Sequence, residues 1–197
     1  MQRMQRDCSM AEIVAETDRL ILRTEAEGDV DRWMEVMNTP AVMQHLGGVC
    51  ERHEVEARFA KKAAGIAKFG YGFWHLQTKC DGRLIGQCGL GPIDVKAAGP
   101  ILNAGTQIGW SIADSHWRQG YASEAAHAAI DLAFNRFGID HLYAQTSNAN
   151  RASWAMMEKL GMRRAAELDY IDPDYTPEEN PTIIYQLARA QWVQFLV

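Results

Sequence analysis

Hydrophobic and polar residues alternate in several short segments of the chain, a pattern typical of β-strands that bury one face. The clearest alternation covers 106–112. Two further segments, 72–78 and 84–90, are joined by Asp81-Gly82, a dipeptide that tolerates the positive φ of a tight turn, and they predict a hairpin. The other predicted strands are 17–23, 142–146, 162–168 and 182–187.

Elsewhere the apolar residues recur at intervals of three and four, which indicates helices with one buried face. Gly138 stands at the expected C-terminal cap of one of them. Strands that first form hairpins and then alternate with helices predict a mixed sheet covered by helices, so the fold class is α/β (α+β). The predicted helices cover 29–39 with Asp29 as the cap, 51–69, 122–137, and a last segment that begins at Asn148 or Asn150 and ends at Gly161.

Length and charge narrow the class of protein. The 197 residues fit one domain, and the contents of 47% hydrophobic and 23% charged residues are those of a soluble globular protein. The net charge is -5 and no basic run is longer than Lys61-Lys62, which argues against a nucleic-acid partner. No signal peptide or membrane-spanning run is visible, so we expect no membrane partner and a cytoplasmic location.

The cysteines and histidines are too scattered for a metal centre. No Cys-x-x-Cys or His-x-x-x-His is present, and we therefore expect no metal. The cysteine spacing also fits no compact disulfide framework, which favours reduced thiols and agrees with the cytoplasmic location. The four cysteines are Cys8, Cys50, Cys80 and Cys88.

The most informative run passes from the strand 106–112, through a turn at Gly120, into the helix that follows. Free backbone N–H groups at the start of a helix attract anions, and glycine lets a phosphate approach the main chain. A glycine at such a turn is also common without any ligand, so the turn alone leaves phosphate binding open. Neither a Gly-x-Gly-x-x-Gly motif after an early strand nor a P-loop is present.

Two motifs in this part of the chain resemble those of the GCN5-related N-acetyltransferase (GNAT) superfamily, and specifically its ribosomal-protein alanine/serine N-terminal acetyltransferase branch. The first, Trp117-Arg118-Gln119-Gly120-Tyr121-Ala122-Ser123-Glu124-Ala125, is similar to the signature Arg/Gln-x-x-Gly-x-Gly/Ala. The second, from Asn148 to Met162, is similar to an Asn-x-x-Ser helix that ends in Glu-Lys-x-Gly-Phe. Arg118 and Met162 depart from the Gly and Phe usual there. The resemblance covers roughly Thr17 to Arg189.

This resemblance implies a single GNAT-like domain over 17–197, with 1–16 as a flexible N-terminal extension. The domain would have a central mixed, mostly antiparallel sheet with a splayed parallel strand pair and helices on both faces. Acetyl-CoA would place its pantetheine arm between strands 106–112 and 142–146, against the main chain of 110–112, and its diphosphate at the Gly120 turn. The implied cofactor-binding residues are Trp110, Ser111, Ile112, Arg118, Gln119, Gly120, Tyr121, Ala122, Ser123, Asn148, Asn150 and Ser153.

The implied reaction is the direct aminolysis of a thioester in a ternary complex, which requires a neutral amine, support for an oxyanion and a proton for the leaving thiolate. Ser153 occupies the position that the resembled branch uses as the proton donor, and it is the candidate catalytic residue. Its alternative role is a hydrogen bond at the helix start or a contact with the cofactor alone. The commoner donor of the superfamily, a Tyr before Glu-Lys, is replaced by Met157.

The general base is less clear, because Gln107 stands where many relatives carry Glu just before Ile-Gly. His75 and Glu124 are possible substitutes. A histidine on a strand is commonly structural, and Glu124 is well placed to support the helix start. Alternatively a water serves as the base, or a weakly basic α-amine needs none.

The amine acceptor stays open between a protein N-terminus and a small molecule. The acidic segment 169–179 either attracts a cationic acceptor or forms a solvated loop. Trp33, Trp74 and Trp154 either line the acceptor pocket or belong to the core. The sequence therefore predicts an acetyl-CoA-dependent N-acetyltransferase. The alternative is a non-catalytic acyl-CoA-binding sensor on the same fold. A homodimer is common among similar proteins, and the resemblance implies it as one option for the assembly.

Overall fold

A computed structural model describes residues 11–195. Within that range one open sheet contains eight strands in the order β1-β2-β3-β4-β5-β6-β8-β7. Neighbouring strands are antiparallel except β5 and β6, which are parallel. The strands are β1 Ile13–Glu16, β2 Leu20–Arg23, β3 Phe73–Thr78, β4 Leu84–Pro92, β5 Thr106–Ile112, β6 His141–Ser147, β7 Arg163–Arg164 and β8 Thr182–Ala188.

Helices cover both faces of this sheet, as expected from the resemblance. The helices are α1 Asp29–Val36, α2 Pro40–Met43, α3 Arg52–Phe69, α4 Pro100–Asn103, α5 Tyr121–Asp131, α6 Arg151–Lys159 and α7 Arg189–Phe195. A wider π-helical turn, Leu132–Arg136, prolongs α5 and explains why the apolar stripe extends to residue 137. No helix in the described range is long and apolar enough to cross a membrane.

Alternation along the strands decides which helix covers which face. Trp74, Leu76 and Ile108 point to the face that α5 covers, and they form one core cluster with Phe134. On the opposite face α1 and α3 pack through a second cluster that includes Trp33 and Phe59. The sheet is therefore enclosed on both sides where its central strands β3, β4 and β5 lie.

The ends of the sheet differ from the sequence prediction in three places. Residues 13–16, assigned to an extension outside the domain, form an edge strand on β2. The strand predicted at 17–23 begins only at Leu20, because residues 17–19 make the turn between the two strands. The strand predicted at 162–168 shrinks to two residues. Residues 1–10 of the expected extension lie outside the described range.

Asp29 does not cap α1 as predicted. Gly28 holds the cap position, and Asp29 is the first helical residue. Its fully buried carboxylate accepts hydrogen bonds from Arg23 at 2.6 and 2.9 Å and from the backbone N–H of Ala26 at 2.8 Å. Burial raises the pKa of Asp29, but these hydrogen bonds outweigh it and the net pKa lies below the ordinary value. Asp29 therefore ties the start of α1 to strand β2.

Candidate active site

Strands β5 and β6 separate soon after they meet. They pair only at Thr106 with Leu142 and at Gln107 with Tyr143, although both strands continue for several residues. The gap opens into a cavity of about 330 Å³ between the strands and the start of α6. A parallel pair that separates in this way leaves one edge of β5 available to an extended ligand, as in strand addition.

The Gly120 turn lies at the end of β5 and leads into α5. Gly120 has a φ of 84° and caps the helix, whose first backbone hydrogen bond runs from the N–H of Glu124 to the carbonyl of Gly120. Six consecutive N–H groups, those of residues 118–123, donate to no described residue. These donors and the positive end of the helix dipole suit a diphosphate, so the turn fits the group that the family resemblance implies.

Arg118 adopts a φ of 60°, the one positive φ at a non-glycine residue in the described range. This conformation explains why the resembled branch usually places glycine here, because a Cβ strains the backbone in the left-handed region. The side chain is exposed beside the free N–H groups. Its positive charge is therefore available to an anion at the turn.

An ion pair fixes the turn to residues 17–19, which precede β2. The carboxylate of Glu124 accepts hydrogen bonds from the Thr17 hydroxyl at 2.5 Å and from the backbone and side chain of Arg19 at 2.9 and 2.6 Å. Arg19 also donates to the Gln119 carbonyl at 2.9 Å and covers the Tyr121 ring. Partial burial raises the pKa of Glu124, but the hydrogen bonds outweigh this and lower it. Glu124 thus supports the loop and lies outside the cavity lining.

Helix α6 brings Ser153 to the cavity. Asn150 caps the helix by accepting a hydrogen bond from the Ser153 N–H at 3.2 Å, and both residues line the cavity together with Met157. The Ser153 hydroxyl makes no hydrogen bond to a described residue, so it is free to donate into the cavity. Asn148 does not line the cavity; its carbonyl accepts from the Trp154 indole at 3.3 Å.

The predicted cofactor residues on β5 divide into two groups. Trp110 and Ser111 line the cavity. Ile112 is buried, and its carbonyl accepts a hydrogen bond of 2.7 Å from the indole of Trp117. That carbonyl keeps a second lone pair, and the pairing of the main chain of 110–112 with the pantetheine amides stays a prediction.

Gln107 belongs to an uncharged network of hydrogen bonds, the Gln107 network, at the narrow end of the gap. Its amide donates to the Pro92 carbonyl at 3.2 Å and accepts from the Gln145 amide at 2.9 Å. Gln145 in turn accepts from the Tyr170 hydroxyl at 2.8 Å. Burial, with a smaller effect of Asp172, raises the pKa of Tyr170 to about 12, so its hydroxyl keeps its proton at neutral pH. No side chain of the Gln107 network can act as a base there.

Residues far apart in sequence complete the cavity wall opposite β4. His45, after α2, contacts Glu179 at 2.8 Å. Asp172 is buried, and one of its carboxylate oxygens accepts from the backbone N–H of Asp174 at 3.0 Å. The acidic segment is therefore partly a cavity wall and not simply a solvated loop. Sequence reasoning missed His45 and Tyr175 because no local pattern marks two loops that meet only in the folded chain.

His75 and the three candidate tryptophans lie away from the cavity. His75 is buried between the rings of Trp33 and Phe59, and burial, with smaller effects of Lys62 and Arg23, lowers its pKa to about 4. Trp74 is a core residue on the opposite face. Trp154 packs under Arg151 on α6. These positions make His75 a poor candidate for the general base.

The cavity brings together four of the predicted cofactor residues, Trp110, Ser111, Asn150 and Ser153, whereas residues 118–123 lie at the Gly120 turn and the start of α5, outside the cavity lining. The described residues contain no cluster of three or more His, Cys, Asp or Glu side chains able to hold a metal ion. Cys50, Cys80 and Cys88 are free thiols.

Comparisons with known proteins agree with this geometry. Residues 19–163 match the acetyltransferase (GNAT) domain family. The uncharacterized N-acetyltransferase YoaA of Bacillus subtilis is 25% identical over 179 residues, which is 89% of this chain and 97% of YoaA.

Two solved structures have the same fold. An acetyltransferase from Agrobacterium tumefaciens is 25% identical with a TM-score of 0.73, over 94% of this chain and 99% of its own. The other, a putative ribosomal-protein-serine acetyltransferase from Vibrio cholerae, is 19% identical with a TM-score of 0.66, over 88% and 95% of the two chains. With the family match, the splayed strands and the glycine turn taken together, the chain belongs to the GNAT acetyltransferase family.

Proposed function

We propose that this chain transfers the acetyl group of acetyl-CoA to a primary amine by direct attack in a ternary complex. The observation that carries the proposal is the gap between β5 and β6, which leaves one edge of β5 open beside the free hydroxyl of Ser153. We take this gap and the unpaired N–H groups of residues 118–123, which follow β5, as one cofactor groove. Acetyl-CoA, when bound, supplies the thioester whose acetyl group moves to the amine.

Each part of the groove has a separate task in this proposal. Residues 118–123 hold the diphosphate through backbone N–H groups, with Arg118 adding a positive charge. Trp110 and Ser111 line the path of the pantetheine arm, and Asn150 positions Ser153. Ser153 holds at its Oγ the proton that the leaving sulfur takes. The attacking nitrogen gives up one N–H proton to solvent, and the Ser153 hydroxyl takes a new proton from solvent.

The Gln107 network bears on the choice of amine. Since it offers no base, the amine reaches the thioester already neutral, which favours an α-amine with a pKa near ~8 over a lysine side chain near ~10.4. A protein N-terminus meets this requirement most readily, and a small amine meets it through the fraction that is neutral at the working pH. The free thiols of Cys50, Cys80 and Cys88 agree with the further proposal that the enzyme works in the cytoplasm.

The test is turnover by the purified full-length protein with acetyl-CoA and a panel of amines. The panel contains peptides with alanine or serine N-termini, free amino acids, polyamines and aminoglycosides, and release of CoA thiol is measured. We expect turnover with at least one acceptor class. Calorimetric binding of acetyl-CoA without turnover on any acceptor would overturn the proposal and favour the sensor alternative.

A further inference from the structure

Lys62 lies next to Gln87, a residue of the cavity lining, and forms no ion pair with an acidic residue in the described range. Its ammonium group, on α3, donates a hydrogen bond to the side-chain oxygen of Gln87 and lies 4.5 Å from the ring centre of Trp33. It forms no ion pair among the described residues, and Glu25 influences it only from a longer distance. Burial is the main cause, and Arg58 a smaller one, that lowers the pKa of Lys62 to about 8.

Gln87 contacts both the Lys62 ammonium group and the cavity that it lines. Because an ammonium group only donates, the Gln87 oxygen faces Lys62 and the amide NH₂ is left for other partners. That NH₂ makes no hydrogen bond to a described residue. Gln87 is also the direct cross-strand partner of Ser111, so the two side chains share one face of the sheet.

Ser111 provides an independent sign of a ligand. Its Oγ is buried and has no hydrogen-bond partner among the described residues, although the residue lines the cavity. A buried hydroxyl without a partner loses free energy unless something bound there pairs with it. Ser111 and Gln87 therefore offer one hydroxyl and one amide to the cavity, and the positive charge of Lys62 lies next to that amide.

The acidic residues of the cavity lining form no ion pair with Lys62. Glu179 is paired with His45 at 2.8 Å, and the Asp172 carboxylate is hydrogen-bonded to the backbone N–H of Asp174. Arg58, one helical turn before Lys62 on α3, adds a second positive charge that forms no ion pair among the described residues. Lys62 and Arg58 are thus two positive charges without an ion pair among the described residues, and Glu25 acts on Lys62 only from a longer distance. The hydroxyl of Ser111 and the amide NH₂ of Gln87 are available as donors.

We propose that Lys62, Gln87 and Ser111 form a subsite for a carboxylate of the acceptor, so that the acceptor is a primary amine carrying a carboxylate, such as an α-amino acid. Gln87 and Ser111 donate directly to the carboxylate oxygens. Lys62 is a positioning residue that orients the Gln87 amide and adds the positive charge. This inference rests on the proposed acetyl transfer and specifies its acceptor.

The test compares each L-amino acid with its amide as acceptors for the full-length protein with acetyl-CoA, at one pH. We expect kcat/KM to be about tenfold or more higher for the acid than for the amide of the preferred acceptor, as for a hydrogen bond to a charged group. Amidation also makes the amine less basic, which by itself favours the amide, so a preference for the acid cannot arise from the amine. Dipeptides with the same first residue show whether a more distant carboxylate suffices.

Variants connect this preference to the subsite. Lys62→Met and Gln87→Leu should bring the acid-to-amide ratio close to one, whereas Lys62→Arg should retain part of the preference. Lys61→Met, at the exposed neighbouring position, is the control and should leave the ratio unchanged. Circular dichroism confirms that each variant is folded.

The outcomes separate the two proposals. No turnover with any amine overturns acetyl transfer and the carboxylate subsite with it. Turnover with equal rates for acids and amides, or a preference that Lys62→Met leaves intact, overturns the subsite while acetyl transfer stands.

Discussion

At the scale of single residues, Arg118 combines an unfavourable backbone conformation with a useful charge. A non-glycine residue in the left-handed region costs about 1 kcal/mol or more. We expect Arg118→Gly to be more stable than Arg118→Ala by about 1 kcal/mol in urea unfolding, because only glycine relieves the strain at φ 60°. Both variants should bind CoA several-fold more weakly than the natural protein, with a weaker salt dependence of binding. Equal stability of the two variants would show that φ is not positive here.

Ser153 tests the assignment of the proton donor. Its hydroxyl is free and its backbone N–H is held by Asn150, so removal of the hydroxyl leaves the helix cap intact. We expect Ser153→Ala to lower kcat by about 10- to 10²-fold, with little change in the KM for acetyl-CoA. Steady-state kinetics over a pH range provide the measurement. An unchanged kcat would leave Ser153 a contact residue only.

The Glu124 clamp consists of the hydrogen bonds that the Glu124 carboxylate accepts from Thr17 and Arg19. It joins two elements, the turn before β2 and the start of α5. Since the pKa of Glu124 is lower in the folded than in the unfolded chain, its ionised form stabilises the fold above the ordinary value of 4.5. We expect Glu124→Gln to lower the free energy of unfolding at pH 7, because the ion pair with Arg19 is lost. The expected loss is only about 1 kcal/mol, since Arg19 is partly exposed and water screens its charge. The difference from the natural protein should disappear as the pH falls below 4.5 through the folded pKa. A constant difference across this pH range would contradict the clamp.

Strands β4 and β5 pack without a side chain at Gly86. A Cβ there would lie 2.2 Å from the carbonyl oxygen of Ser111, on the cavity wall. We expect Gly86→Ala to destabilise the protein by about 2 kcal/mol and to weaken CoA binding, because β5 must shift. Gly65→Ala is the matched control, since Gly65 lies within α3 with open space around it, and it should stabilise the protein by about 0.5–1 kcal/mol. Urea unfolding of both variants provides the test.

At the scale of the whole molecule, local patterns predicted the parts of the fold that local forces determine. The alternation in 106–112 gave the bounds of β5, and Asp81-Gly82 gave the β3–β4 hairpin. The edge strand β1 was missed because its four residues, flanked by acidic side chains, contain too few alternations to reveal a strand. Its position depends on pairing with β2.

The candidate site shows the same limit. The turn at Gly120 and the Asn150–Ser153 cap have local sequence signatures, so their positions were predictable. Part of the cavity wall is formed by His45 and by the segment around Tyr170, which are more than a hundred residues apart in the chain. No periodicity connects such segments, and the Trp117 hydrogen bond to Ile112 is equally invisible in sequence because it depends on the path of the loop.

The central claim is that the Gly120 turn holds the diphosphate of CoA while the gap between β5 and β6 admits its thiol-bearing arm. A crystal structure of the full-length protein with CoA tests this most directly. The account predicts phosphate oxygens within hydrogen-bond distance of backbone N–H groups in 118–123, and the pantetheine arm between the strands beyond Gln107. CoA bound elsewhere, or β5 and β6 paired along their full length, would contradict it.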